Sequence, residues 1–324
     1  MNQPTGLLLP TGLLLDDTYL RHLPGRTGHP ECPERLIAVR DRVRSAPWFD
    51  TLSPITSRMA TTEELRLAHD PEYLELVARE ASNVAGLKQL STGDTIISRD
   101  SLEVAELAVG GVLSAVDAVA AGSFRNAFCA VRPPGHHATR DGGMGFCIFN
   151  NVALAARYLQ KSHGIAKVLI VDWDYHHGNG TQDIFYDDPA VFYFSTHHYG
   201  AYPGTGAPSE HGAGRGLGAT LNVPLPAGCS DAQIYQALDS RLAPAAKEFG
   251  PDFILISAGF DAMRGDLLGC FDVTPQGFAA ITRLVRDLAE ELCSGRLVSA
   301  LEGGYRLDGL AACVAAHLEV LQEA

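Results

Sequence analysis

Apolar residues along this chain follow two alternating rhythms. Spacings of three and four run through ECPERLIAVRDRVRSA (31–46), DPEYLELVAREAS (70–82) and SLEVAELAVGGVLSAVDAVAAG (101–122), which predicts helices. Short apolar runs predict buried strands at NAFCAVR (126–132), KVLIVDWD (167–174), AVFYFSTH (190–197), DFILISAG (252–259) and RLVSALEGG (296–304). Between them a helix is predicted over FNNVALAARYLQKSHG (149–164), stopped by Gly164. Another runs from a Ser230/Gln233 capping box through Glu248, one starts at Thr274-Pro275, and one closes the chain. The motif PTGLLL occurs twice in tandem near the N-terminus, and the second copy, running into Asp16, is predicted as the first strand. Val/Ile/Leu strands separated by helices predict an α/β fold with a parallel sheet covered on both faces. The Gly- and Pro-rich stretch 198–229 is expected to be a long functional loop. No linker divides the sequence, so a single domain over 1–324 is expected.

Composition narrows the classes of function. The chain is 46% hydrophobic and 19% charged, enough apolar surface for one large α/β core. A net charge of −13 speaks against a nucleic-acid partner and favours neutral or basic substrates. The seven cysteines contain no CxxC pair and are odd in number, which predicts neither a zinc ribbon nor a disulfide framework. A reducing compartment, the cytoplasm, is therefore expected, with Cys129 as a small core residue. The N-terminus has no basic segment and is broken by Pro and Gly, so it makes a poor secretory signal. No later run approaches the ~20 apolar residues of a membrane span. Homo-oligomerisation is left open.

Candidate chemistry collects at the carboxyl ends of four predicted strands, where open parallel sheets bind ligands. One strand runs into RPPGHHATRDGGMGFC with His136 and His137, and the next ends in VDWDYHHGNGTQ (171–182) with Asp172, Asp174, His176 and His177. FILISAG leads into Asp261, and LVSALEGG into Tyr305. A single strand-end histidine is usually structural, but four such ends carrying acid, imidazole or phenol rarely arise from packing. Asp174 and His176, two apart, point the same way on extended backbone, and Asp261 could complete a three-ligand metal set. Zinc sites typically take three such protein ligands, and the oxygen-rich set makes Fe²⁺ or another divalent ion conceivable as well. His136 and His137 are candidate acid/base groups, with Asp172 and Asn179 as acceptors that orient them. A carboxylate raises imidazole basicity whereas an amide mainly orients, so the two rings would differ in pKa. Tyr305, after Gly303-Gly304, is a candidate oxyanion donor. His177, His197 and His198 are given no role, and His22, His69, His163, His211 and His317 carry no signal.

Taken together, HPECPERL (29–36), RPPGHHA (132–138), GFCIFNN (145–151), DWDYHHGNGTQDIFY (172–186), YPGTG (202–206), SAGFDAMRGD (257–266) and LEGGY (301–305) resemble the zinc-dependent histone deacetylase family. The blocks occur in family order, and Asn179 with LEGGY looks like the class II branch and its bacterial amidohydrolase relatives. The resemblance implies the arginase/deacetylase fold with a central eight-stranded parallel sheet. It also implies metal ligands at Asp174, His176 and Asp261, tandem histidines at His136 and His137, and a transition-state tyrosine at Tyr305. Tunnel walls fall on Gly145, Phe146 and Tyr202, with Leu268 at the rim and Asp94 holding the substrate backbone. Arg35, Gly303 and Gly304 match the internal product channel. Structural potassium is implied around Asp172, Asp174, His176, Ser195 and Thr196, and a second ion near Phe185, Asp188 and Val191.

The expected activity is metal-dependent hydrolysis of an acylated lysine or acylated amine, with His137 as general base. Acetylpolyamine deacetylation is the near rival. Polyamine-selective relatives carry an acidic gatekeeper where this chain has Leu268. A non-catalytic acyl-lysine binder would lack a ligand, His137 or Tyr305, and all are present. A binuclear ureohydrolase would need further bridging Asp and His ligands, which are not found.

Overall fold

The apolar runs predicted as strands lie side by side in one parallel sheet. The computed structural model describes residues 9–25 and 28–323, so the first PTGLLL copy lies outside the described residues except for Leu9. The chain opens with β1 (Thr11–Leu14), α1 (Pro33–Arg44) and β2 (Ser53–Ile55), then α2 (Thr62–Leu65) and α3 (Pro71–Ser82). A small antiparallel hairpin, β3 (Lys88–Gln89) and β4 (Ile96–Ile97), precedes α4 (Ser101–Ala120) and β5 (Asn126–Cys129). There follow α5 (Asn151–His163), β6 (Val168–Asp172), α6 (Asn179–Phe185), β7 (Val191–His198) and β8 (Thr220–Leu225). The rest is α7 (Asp231–Ala237), α8 (Ala243–Phe249), β9 (Phe253–Ala258), α9 (Pro275–Cys293), β10 (Leu297–Leu301) and α10 (Leu307–Gln322).

The eight-stranded sheet runs β2-β1-β5-β10-β9-β6-β7-β8, all pairs parallel. Helices α4 and α5 pack together on one face, and α9 packs against α10 and α10 against α1 on the other. Double cover explains the sequence pattern: every residue of β5, β6, β9 and β10 is buried, so none of these strands alternates.

Two expectations need correction. The stretch 198–229 is not all loop, because Thr220–Leu225 forms the last strand of the sheet. Its Pro224 and half-buried positions mask the strand signal, and proline is tolerated there because β8 is an edge. β2, at the opposite edge, escapes notice for the same reason through Pro54. The helix expected from Ser230 through Glu248 is α7 and α8 joined by a π-helical turn at Leu238–Leu242. Its start is as predicted, since the Ser230 backbone N–H donates to Gln233 Oε1 at 3.0 Å. Gly164 caps α5 with φ 66°. No helix among the described residues is long and apolar enough to cross a membrane.

Candidate functional site

Four neighbouring strands, β5, β10, β9 and β6, occupy the middle of the sheet, and the predicted site residues follow their carboxyl ends. Register does part of the placing: Asp172 lies opposite Ser257 on one side and Ser195 on the other. From these ends Asp174, His176 and Asp261 converge, with one donor atom of each within 4.8 Å of the others. His176 Nδ1 lies 3.1 Å from Asp174 Oδ1 and 3.0 Å from Asp261 Oδ2. Backbone amides fix the carboxylates: Tyr175 N–H donates to Asp261 Oδ1 at 2.8 Å and Gly303 N–H to Asp174 Oδ2 at 2.9 Å. Gly303 has no alternative there, since a Cβ would stand 2.2 Å from Asp261 Oδ2.

The electrostatics of this cluster call for a cation. Both carboxylates are fully buried, and Asp261 is pushed up to about 7 by burial and by the charge of Asp174. Burial would lower His176, yet its hydrogen bonds to Asp174 and Asp261 raise it to about 10. Both carboxylates meet the same imidazole nitrogen, and a divalent ion held by these three residues would compensate their buried negative charge. The donor set, with one imidazole and two carboxylates, fits Zn²⁺ or Fe²⁺.

The tandem histidines stand beside this cluster with ring centroids 4.0 Å apart. His136 Nδ1 lies 3.1 Å from Asp172 Oδ2, an oxygen that also accepts the Tyr193 hydroxyl at 3.0 Å. Burial works against its charge, but Asp174 and Asp172 outweigh burial and raise His136 to about 10. His137 Nδ1 lies 2.8 Å from Asn179 Oδ1. Burial and then the positive charges of His136 and His176 push His137 well below the usual imidazole range. The two rings differ: the charges of Asp174 and Asp172 raise His136, whereas burial and the charges of His136 and His176 lower His137 against a small opposing effect of the Asn179 hydrogen bond.

A cavity of about 330 Å³ opens onto these groups and is lined by His137, His176 and Tyr305 at the polar end. Its walls include Gly145, Phe146, Tyr202 and Leu268, with Asp94 at the mouth, so all five predicted substrate residues line one space. Gly145 sits at φ 55°, and a Cβ there would lie 2.2 Å from His137 Cδ2. Tyr202 meets His137 edge-on at 5.2 Å, and Phe146 meets Tyr305 at 5.8 Å. Asp94 Oδ1 accepts the Gly145 N–H at 2.7 Å. Tyr305 is 5% exposed, and burial together with the charge of Asp261 keeps its phenol protonated. The Arg35 guanidinium lies 5.0 Å over its ring, with Nε donating to Gly304 O at 2.6 Å.

The histone deacetylase domain family model matches residues 29–321. The chain belongs to the histone deacetylase family. Histone deacetylase 10, chloroplastic, from Oryza sativa subsp. japonica is 40% identical over 328 residues, 95% of this chain and 74% of that protein. Polyamine deacetylase HDAC10 from Homo sapiens is 42% identical over 307 residues, 90% of this chain and 45% of that protein. A solved structure, the crystal structure of the HDA15 HD domain, superposes with TM-score 0.89 at 38% identity, covering 97% of this chain and 91% of that one. The fold is the arginase/deacetylase fold, and the reaction class of this histone deacetylase family member is amide hydrolysis.

Three features of this deacetylase-family site escape sequence reasoning. His177 and His197, given no role, are buried and fasten the loop that carries Tyr202: His177 Nδ1 lies 2.7 Å from Thr205 Oγ1, and His197 Nε2 2.9 Å from Gly206 O. Burial lowers them to about 3 and about 4, so both are neutral fasteners. The loop closes tightly on this ring: Gly206 has φ 86°, and a Cβ there would stand 2.4 Å from His197 Nε2. Asp266 accepts the Tyr305 N–H at 2.7 Å, and Glu302, buried behind His136, accepts backbone amides of the histidine turn. Of the second potassium set, Phe185, Asp188 and Val191 share the α6–β7 turn, where Asp188 N–H bonds Phe185 O at 3.0 Å and the Asp188 carboxylate pairs with Arg157.

Proposed function

We propose that the chain is a metal-dependent deacylase that hydrolyses the amide of acetylated, or longer acylated, lysine. The observation that carries this reading is the convergence of Asp174, His176 and Asp261 at the base of a cavity that His137 and Tyr305 also line. Those three residues would hold Zn²⁺, with Fe²⁺ able to take the same donors. Such an ion polarises a carbonyl oxygen and makes water a stronger acid at neutral pH.

The chain's own groups supply the rest. An amide oxygen is acceptor-only, so Asn179 fixes the His137 proton on Nδ1 and leaves Nε2 with a lone pair. His137 is neutral and takes the proton of the attacking water on Nε2, then delivers it to the departing amine. His136, hydrogen-bonded through Nδ1 to the Asp172 carboxylate, stands where it can offset negative charge as it develops. The Tyr305 phenol donates to the substrate carbonyl oxygen, more strongly as that oxygen becomes an oxyanion. The acyl-bearing chain passes between Phe146 and Tyr202, and Asp94 accepts from the substrate backbone at the mouth. Arg35, Gly303 and Gly304 line the proposed exit of the released acid.

Potassium fits beside the centre. Ser195 lies opposite Asp172, and the neighbouring Thr196 Oγ1 is buried with no hydrogen-bond partner among the described residues. The second ion would lie at Phe185, Asp188 and Val191. A reducing compartment, the cytoplasm, is proposed on the cysteine pattern of the sequence, seven in number with no CxxC pair.

The second reading is acetylpolyamine deacetylation, favoured by the likeness to the human polyamine deacetylase. The apolar Leu268 at the cavity mouth weighs against it, because a polyamine carries further ammonium groups that a rim carboxylate would hold. The test is a panel of acetyl-lysine peptide, longer acyl-lysine peptides and acetylspermidine, each with and without chelator. Peptide turnover that chelator abolishes is expected. Preference for acetylspermidine selects the second reading, and turnover indifferent to chelator overturns both.

A further inference from the structure

The LEGGY block carries a carboxyl group, Glu302, immediately after β10, and it is fully buried. Its Oε2 accepts the backbone N–H of Gly135 at 2.6 Å and that of His136 at 3.2 Å. Its Oε1 accepts the Ser257 hydroxyl at 3.2 Å. The main chain of Glu302 is held as firmly, with its N–H on Ala258 O at 3.1 Å and its carbonyl accepting Arg35 Nη2 at 2.5 Å. One residue therefore ties β9, β10 and α1 to the turn that carries the two histidines.

That turn has no helix or strand of its own. Its carbonyls have several partners: Thr181 N–H reaches His136 O at 3.1 Å, Ala138 N–H reaches Gly135 O at 3.0 Å, and Asn151 Nδ2 reaches Pro133 O at 3.2 Å. Among the described residues, the Gly135 and His136 amides have Glu302 alone as acceptor.

We propose that Glu302 is a positioning residue for His136 and His137, setting through two backbone amides where both imidazoles stand relative to Asp174 and the cavity. The inference rests on the acid/base role proposed for those histidines. The hydrogen-bond demands explain the residue type. Two polar ends at this reach are required, one oxygen for the pair of amides and one group to meet the Ser257 hydroxyl, which can donate or accept. Glutamine keeps the amide-accepting oxygen and can donate its NH₂ to Ser257 Oγ. Aspartate withdraws both oxygens by one bond, about 1.5 Å, and cannot reach the amides without dragging the turn.

The test compares wild type, Glu302→Asp, Glu302→Gln and His137→Ala for kcat and KM on an acetyl-lysine peptide, for zinc content, and for amide hydrogen exchange at Gly135 and His136. For Glu302→Asp the expected loss in kcat is roughly ten- to a hundredfold, the scale of an ångström of misplacement, with KM and zinc content unchanged. Both amides should also exchange faster than in wild type. Glu302→Gln should keep kcat within about fivefold and keep both amides protected. Wild-type kcat and protection in Glu302→Asp overturn the proposal, as does a Glu302→Gln enzyme that falls as far, which would assign the effect to charge. Wild-type kcat in His137→Ala overturns the histidine's role instead. Exchange does not depend on activity, so it still decides whether Glu302 holds the turn.

Discussion

His137 Nδ1 lies 2.8 Å from the side-chain oxygen of Asn179, where its neighbour His136 has a carboxylate. Burial and the charges of its neighbours hold His137 neutral, and its amide partner orients the ring without adding a charge that would oppose them. Asn179→Asp adds that charge and raises the affinity of His137 for a proton. A base that must be neutral is then lost at higher pH, so the acidic limb of the kcat/KM profile should move up by about one pH unit. An unmoved limb would remove His137 from the base role.

Tyr305 is placed by Asp266 through its backbone and by Arg35 over its ring, while its phenol faces the cavity. Tyr305→Phe removes the donor and little else. The expected loss is about 10²–10³ in kcat with unchanged metal content, typical of one oxyanion donor. Full activity in the variant would show that the phenol takes no part.

Leu268 is 39% exposed at the rim. Leu268→Glu places a carboxylate where a polyamine's second ammonium would pass. The ratio of kcat/KM for acetylspermidine over acetyl-lysine peptide should rise by about threefold to tenfold. A ratio that stays constant means the rim does not choose the substrate.

Stability should fall in mild acid, and His317 is one cause. It is fully buried between Thr282 Oγ1 and Ser299 Oγ, each 2.8 Å away, and burial lowers it from 6.5 to about 3. Between those values the unfolded chain binds the proton and the folded chain does not. This contribution is therefore complete above pH 6.5 and declines as pH falls toward 3, by up to about 1.4 kcal/mol per pH unit. Urea unfolding at pH 7, 6 and 5 should show a shallower decline for His317→Gln than for wild type. Parallel declines would mean His317 does not titrate on unfolding.

What was legible in the sequence follows from where side chains end up. The central strands announce themselves because both faces are buried, whereas β2 and β8, at the edges, carry Pro54 and Pro224 and read as loop. The metal and histidine residues were visible because acid and imidazole at four strand ends have no use in a core. Glu302 was not, since a glutamate at the end of a predicted strand carries no mark of the distant amides that it accepts. His177 and His197 were passed over because fastening a loop leaves no spacing signature.

The whole mechanism depends on a cation held by Asp174, His176 and Asp261. The most direct measurement is zinc stoichiometry and affinity, by elemental analysis and titration calorimetry, for wild type and Asp261→Ala. One tightly held ion in the wild type and none in the variant is the predicted result. An equal, stoichiometric ion in both, or no binding to the wild type, would contradict it.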